Sequence, residues 1–187
     1  MNKQCFRAGC LKRLRRISSL GVYKKDKQVL LALYGVIREM NAQQIMLYLP
    51  LKSEVNLTPL IKQLRREKRT LYVPFMEGKS FRVVKYRYPL EKKSFGIREP
   101  KNSKKYRNRK LDVAIVPIVG VDVTQRRIGF GKGMYDRFFE KERQYIDKII
   151  FVARTLCYSP TVVTDDYDVR ADTIIVPEGI CTFLPPK

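Results

Sequence analysis

The sequence predicts a three-layer α/β domain with a mostly parallel central sheet, and three observations carry that prediction. Short apolar runs alternate along the chain with segments of helical period. One run, residues 112–121, is apolar without alternation, as a central strand covered on both faces requires. After it comes Arg127-Ile128-Gly129-Phe130-Gly131-Lys132-Gly133-Met134-Tyr135-Asp136-Arg137, a glycine-rich turn that leads into a helix. That is the carboxyl end of a strand, where ligands of such folds bind.

The 187 residues suit a single domain, 1–187, without linker or internal repeat. A first helix is expected over 2–18, where Phe6, Cys10, Leu14 and Ile17 recur at helical spacing. A second is expected over 26–41, with Leu30, Leu33, Tyr34 and Ile37 on one face. Residues 45–49 read as a strand. Thr58 then reads as a helix N-cap with Pro59 at the first helical position, and Leu57, Leu60, Ile61 and Leu64 continue the period to residue 66. Residues 70–75 and 81–86 are the next strands, and 112–121 is the long central one. Beyond the glycines a helix begins near Met134 and turns Phe138 and Phe139 inward; 149–153 and 173–176 are late strands.

Composition excludes several chemistries. There is no histidine, so a histidine-based triad and a histidine-rich metal site are ruled out. Acid–base work falls to carboxylates, lysines, tyrosines or the substrate. Cys5, Cys10, Cys157 and Cys181 form no C-x-x-C pair and no signal-peptide core precedes them, which predicts reduced thiols in a cytoplasmic protein. No apolar run approaches the length of a membrane span. The net charge is +21. Lys3, Arg7, Lys12, Arg13, Arg15, Arg16, Lys24 and Lys25 precede the first acid, Asp26, and Lys101, Lys104, Lys105, Arg107, Arg109 and Lys110 form a second acid-free run. Such charge is solvated surface, attraction for anionic substrates, or a nucleic-acid footprint. The second run holds a single aromatic residue, Tyr106, too few stacking platforms for sequence-specific reading of a single strand. The arginine-rich start also has the composition of an organelle transit peptide, but its helically spaced apolar residues suit packing on a core.

The glycine turn is the strongest chemical signal. Alternate glycines let the backbone turn sharply and present N–H groups, and a helix N-terminus follows. Arg127, Lys132 and Arg137 supply charge for phosphate, and Asp136 a carboxylate for a metal. The spacing G-x-G-x-G is neither the dinucleotide fingerprint nor a Walker A loop, so a phosphate site and a tight strand–helix connection both remain open. Glu54 lies past the end of another strand, as a solvated acid or a ligand. Asp165, Asp166, Asp168 and Asp172 are an acidic cluster in a basic chain; one of them beside Asp136 would suit Mg²⁺ bound together with phosphate. Lys3 and Arg7, four residues apart on a helix, share a face and are read either as exposed surface charge or as a phosphate-binding pair.

These residues together resemble the 5-formyltetrahydrofolate cyclo-ligase (methenyltetrahydrofolate synthetase) family. Lys3-x-x-Phe6-Arg7 is similar to the family's N-terminal K-x-x-L-R, and Tyr48-x-Pro50-x-x-x-Glu54-Val55 to its strand-end segment with a glutamate. Phe95-Gly96-Ile97-Arg98-Glu99-Pro100 resembles F-G-I-x-E-P. The stretch from Val116-Pro117 through Asp122, then residues 127–137, resembles the signature R-L-G-x-G-x-G-x-Y-D-R, and Asp168-x-x-x-Asp172 the late D-x-x-x-D. Gln125 stands where the family usually has glycine, Met134 where glycine, tyrosine or phenylalanine is common, Cys157 where a glutamine is typical, and Val163 near a common proline.

The resemblance implies a fold of the sugar-isomerase and CoA-transferase α/β type. It implies an ATP- and Mg²⁺-dependent ring closure of 5-formyltetrahydrofolate, polyglutamylated forms included, to 5,10-methenyltetrahydrofolate, ADP and phosphate. It assigns Lys3, Arg7, Arg127, Gly129, Gly131, Lys132, Gly133 and Tyr135 to ATP, with Lys132, Tyr135 and Arg127 as catalytic groups. It assigns Asp136 and Asp168 to Mg²⁺, and Tyr48, Glu54, Phe95 and Gly96 to the folate. The expectation is a monomer acting on small molecules, without a specific nucleic acid or membrane. Two other readings stand beside it: a basic, non-enzymatic module for RNA or another polyanion, and an ATP-binding relative acting on a different folate-like substrate.

Overall fold

The computed structural model describes residues 2–17, 21–93, 96–101 and 110–181. Helices α1 (Lys3–Ile17) and α2 (Val22–Glu39) lead to strand β1 (Gln44–Met46), α3 (Thr58–Arg66), β2 (Thr70–Glu77) and β3 (Ser80–Lys85). A small hairpin of β4 (Leu90–Lys92) and β5 (Arg98–Pro100) precedes β6 (Leu111–Pro117), β7 (Gly120–Asp122) and β8 (Arg127–Ile128). Then come α4 (Met134–Glu142), a 3-10 turn (Arg143–Tyr145), β9 (Ile146–Val152), β10 (Tyr158–Ser159), β11 (Thr173–Val176) and β12 (Gly179–Cys181).

Seven strands form the central sheet in the order β12-β11-β9-β6-β1-β2-β3. The five inner strands run parallel, and β3 and β12 close the two edges antiparallel. This is the α/β architecture with a mostly parallel sheet that the sequence predicts. Alternate strand residues face opposite layers, as the two-residue period requires. Ile45, Val73, Val113, Ile115 and Ile150 pack with Val29, Leu33 and Ile37 of α2 and Leu60, Ile61 and Leu64 of α3. Met46, Tyr72, Ala114, Val116 and Phe151 pack on the other side with Phe138 and Phe139 of α4. Each Val, Leu, Ile, Met or Phe among them contributes roughly 1.5–3 kcal/mol by leaving water.

Helix α1 belongs to neither layer. Phe6, Cys10 and Leu14 are buried against Val119, Ile128 and Cys157, so the expected helical stripe does pack on the core. The side chain of Ile17 lies outside the described part. Cys10 and Cys157 correct the expectation of reduced thiols: they are joined by a disulfide across 147 positions of sequence, while Cys5 and Cys181 are free. Nothing in sequence spacing places those two sulfurs together; the packing of α1 on the segment after β9 does.

Other boundaries shift for local reasons. Helix α2 begins at Val22 rather than residue 26, which puts Asp26 inside it. Leu57, not Thr58, is the cap of α3, and the Thr58 N–H is met at 3.1 Å by the Asn56 side chain. The run 112–121 is not one strand. Chain pairing in the large sheet stops at Pro117, and β7 joins β8 and β10 in a separate three-stranded sheet. Strand β1 is shorter than expected and β9 starts earlier, at Ile146. Of the second basic run, Lys101 stands 3.8 Å from Glu91 and Lys110 3.3 Å from Asp147. Lys104, Lys105, Tyr106, Arg107 and Arg109 lie outside the described residues. Among those described, no helix is long and apolar enough to cross a membrane.

Candidate active site

The glycine turn joins β8 to α4 and forms one wall of a cleft of about 490 Å³. Gly131 (φ 98°) and Gly133 (φ 61°) adopt left-handed conformations that side-chain-bearing residues rarely tolerate. Gly129 is required for a different reason: a Cβ there would lie 2.2 Å from Nη1 of Arg127. The guanidinium of Arg127 runs beneath the turn. It is buried, its Nε donates to the Pro117 carbonyl at 3.2 Å, and its Cζ lies 4.8 Å from the centre of the Tyr135 ring.

Helix α1 supplies the opposite wall. Arg7 Nε donates to the Gly129 carbonyl at 2.9 Å. Lys3 donates to Asp168 and, at 2.8 Å, to Asp165, and its Nζ stands 5.1 Å from the Tyr167 ring centre. Lys3 is therefore not the exposed surface charge that one reading of the sequence has it; its side chain is only 20% accessible. Burial alone would lower the Lys3 pKa, but hydrogen bonds and charge from Asp165 and Asp168 raise it above the ordinary lysine value.

The cleft brings together Lys3, Arg7, Gly129, Gly131, Lys132, Gly133, Asp136 and Asp168. These residues come from three distant parts of the chain, and the sequence predicts all of them as site residues. Arg127 and Tyr135 are not in the lining; they support the turn from below. Arg137, read from the sequence as charge for phosphate, also lines the cleft, and Glu140 and Tyr167, which had no assigned role, complete the lining. Glu140 could have been read from its position one helical turn after Asp136. Of the acidic cluster, only Asp168 and its neighbour Asp165 take part; Asp166 pairs with Arg126, and Asp172 binds Arg143 and the Ile149 N–H.

Two carboxylates define the electrostatics. Asp136 Oδ2 lies 3.6 Å from Arg127 Nη1, and its Oδ1 is buried with no hydrogen-bond partner among the described residues. Asp168, nearly buried, accepts from Lys3 and from the Asp165 N–H at 2.7 Å. Asp122, not assigned a role by the sequence, lies outside the cleft lining and ties the end of β7 to residues 163–164. It is fully buried and accepts from the N–H and hydroxyl of Thr124, from the Val163 N–H, and from the N–H and hydroxyl of Thr164. Burial would raise its pKa, but these hydrogen bonds hold it below the usual carboxylate value.

Of the expected folate residues, Tyr48, Glu54 and Gly96 lie near the end of β1, outside the cleft lining. Tyr48 is buried and its hydroxyl donates to the Val55 carbonyl at 2.9 Å. Glu54 Oε2 accepts from the Leu51 N–H at 2.8 Å. Gly96 (φ 77°) lies beside the same segment, since a Cβ there would be 4.0 Å from Leu51 Cδ2. Phe95 lies outside the described residues. Burial raises the Glu54 pKa, while the Leu51 amide, Arg127 and Arg154 pull it down. Tyr135 is pushed up, by burial first and then by the Glu54 charge, while Arg127 pulls it down.

An α/β fold whose cationic glycine turn lines one cleft with two carboxylates defines a ligand-binding α/β enzyme. The pattern of the 5-formyltetrahydrofolate cyclo-ligase family matches residues 1–177, and the chain belongs to that family. It is an enzyme of that type, a ligase of folate one-carbon metabolism. It is 27% identical over 130 residues to a 5-formyltetrahydrofolate cyclo-ligase of Haemophilus influenzae, covering 65% of this chain and 68% of that one. The NMR structure of Aquifex aeolicus 5,10-methenyltetrahydrofolate synthetase superposes with a TM-score of 0.81 at 27% identity, over 96% of this chain and 92% of that one. The Mycoplasma pneumoniae 5,10-methenyltetrahydrofolate synthetase shares the fold, with a TM-score of 0.75 at 21% identity over 95% of this chain and 99% of its own.

Proposed function

We propose that the chain closes 5-formyltetrahydrofolate to 5,10-methenyltetrahydrofolate while converting ATP to ADP and phosphate. The observation that carries this reading is the convergence of Lys3 and Arg7 from α1 on the same cleft as Gly129, Gly131, Lys132, Gly133, Asp136 and Asp168. In this reading the cations and the turn hold the nucleotide phosphates, and Arg127 and Tyr135 fix the turn from below. Tyr48, Glu54, Phe95 and Gly96 take the folate, with Glu54 orienting it. The net charge of +21 steers two polyanions, ATP and the folate's glutamate tail.

The donor set fits Mg²⁺. Among the described residues no group of three His, Cys, Asp or Glu stands together, so a cation held here would take further ligands from phosphate and water. Mg²⁺ habitually takes one or two carboxylates and fills its other positions with phosphate oxygens and water. Asp136, with its unpartnered Oδ1, and Asp168 would hold it. When bound, the ion neutralises charge on the phosphoryl group in transfer.

The formyl oxygen on N5 attacks the γ-phosphorus and ADP departs, turning a poor leaving group into phosphate. N10 then attacks the formyl carbon, gives up its proton to solvent, and phosphate leaves. Neither step needs a protein nucleophile or histidine, only alignment and charge neutralisation. The test is purified protein with Mg-ATP and 5-formyltetrahydrofolate, followed by the absorbance of the methenyl product. Product should require both substrates. ATP binding without methenyl product would move the reading to another folate-like substrate, and absence of nucleotide binding would overturn it.

A further inference from the structure

We infer that the buried ion pair between Arg154 and Asp26 is the positioning element of the folate half: it grips residues 52–56 at both ends and thereby sets where the Glu54 carboxylate stands. The inference rests on the reading of Glu54 as the folate-orienting group.

Arg154 lies just past β9 and is 6% exposed. Its Nε and Nη2 fork onto Asp26 of α2 at 2.7 and 3.0 Å, and its Nη1 donates to the Lys52 carbonyl at 2.8 Å. Asp26, equally buried, uses Oδ2 a second time to accept the Asn56 N–H at 3.2 Å. One charged pair thus holds the backbone on both sides of Glu54. Within that span, Leu51 and Glu54 exchange hydrogen bonds and Tyr48 holds the Val55 carbonyl. A buried ion pair is a poor device for stability alone, because well-packed apolar residues serve as well. Its geometry here serves one loop.

Arg154 also acts on Glu54 through charge. The groups that face Glu54 are Tyr48 past β1, Tyr135 on α4, Arg127 on β8 and Arg154 past β9, with the Leu51 amide on its own loop. Burial favours the neutral acid; Arg127 and Arg154 favour the carboxylate. Asp26 offsets part of the Arg154 charge. Removing either partner therefore loosens the same loop but moves the Glu54 ionisation in opposite directions. A pair that only stabilised the fold would leave the folate KM of its folded variants unchanged.

The experiment measures steady-state kinetics for each substrate across pH, with a thermal melt for every variant. Arg154→Met should raise the folate KM about tenfold or more, leave the ATP KM within about twofold, and move the acid limb of kcat/KM for folate to higher pH. Asp26→Asn should also raise the folate KM but move that limb to lower pH. Arg154→Lys should keep the limb near its wild-type position while the folate KM stays several-fold raised. Should Arg154→Met fail to melt cooperatively, Asp26→Asn and Arg154→Lys carry the test. Glu54→Gln separates the role of Glu54 from that of the ion pair. If it leaves the folate KM unchanged, the Glu54 reading fails. If it impairs folate use while the folded pair variants leave the folate KM and acid limb untouched, or move the limb in one common direction, the positioning role is overturned.

Discussion

Replacing Lys3 with alanine should pull apart two functions that its ammonium group combines. In the structure that group donates to Asp168 and Asp165, yet the proposed chemistry needs Lys3 on the nucleotide phosphates and Asp168 on Mg²⁺. A cation at Asp168 must compete with the ammonium for the same carboxylate. A hydrogen bond to a charged partner contributes about 1.5–3 kcal/mol, which is roughly 10- to 150-fold in a dissociation constant. Lys3→Ala should therefore weaken ATP binding by about tenfold or more. It should also tighten binding of Mn²⁺, a paramagnetic substitute for Mg²⁺, several-fold without nucleotide, because Asp168 keeps its charge and only the Asp165 N–H remains on Oδ2. Calorimetry reads the first effect and electron paramagnetic resonance the second. Unchanged or weaker Mn²⁺ binding in a folded variant would refute the competition. The sign of the pH effect follows too. The raised Lys3 pKa means its stabilisation is present below its unfolded value of 10.5 and is lost as pH rises through the folded value, so the wild-type advantage in melting should shrink in strong alkali.

Three further outcomes are expected. Asp136→Asn should abolish ATP-dependent product formation in a protein that still melts cooperatively; near-normal activity would remove the carboxylate from the metal assignment. Asp122→Asn should cost about 3 kcal/mol, because an amide cannot accept from all the donors that converge on the carboxylate. Since the Asp122 pKa is lowered, its stabilisation exists at neutral pH and is lost as pH falls through that value, so the variant's melting point should depend less on acid. Thiol titration of the denatured protein should find two reactive groups, Cys5 and Cys181, before reduction and four after it. Closing a loop of 147 residues limits the unfolded chain by about 5 kcal/mol in the chain-entropy account, so reduction should lower the melting point; four thiols without reductant would refute the pairing.

The parallel sheet was legible because buried strands and amphipathic helices leave different periods, and α3, β2, β11 and α4 fall close to their expected positions. The glycine wall of the cleft was legible because Gly129, Gly131, Lys132, Gly133 and Asp136 are local in sequence; that Lys3, Arg7 and Asp168 join them came from the family resemblance and not from spacing. Contacts between distant segments were not legible. No spacing rule connects Arg154 to Asp26, 128 residues earlier, or Cys157 to Cys10. Asp122 looked like the end of an apolar run, and its donors at 163–164 arrive from another strand connection. The break after Pro117 was hidden because both flanking pieces are apolar: β6 is buried in the large sheet and β7 in the small one.

The departures from the family pattern have physical readings in these same contacts. Gln125 adopts φ 63°, a conformation that glycine enters without strain and other residues at a cost of about 1 kcal/mol or more. The site tolerates it because the turn is over-determined: Gln125 N–H donates to the Asp122 carbonyl at 2.9 Å, Ala171 N–H donates to the Gln125 carbonyl at 3.2 Å, and Asp122 itself is locked. Cys157 stands where a glutamine is typical, and its sulfur is joined to Cys10. That bond fastens α1, which carries Lys3 and Arg7 into the cleft, to the segment that carries Arg154 to the Glu54 loop. The cleft and the Glu54 loop, proposed above to take nucleotide and folate, thus share one covalent anchor in this chain. Loosening it should disturb both substrates at once, whereas changes at Lys3 or Arg154 should each disturb one.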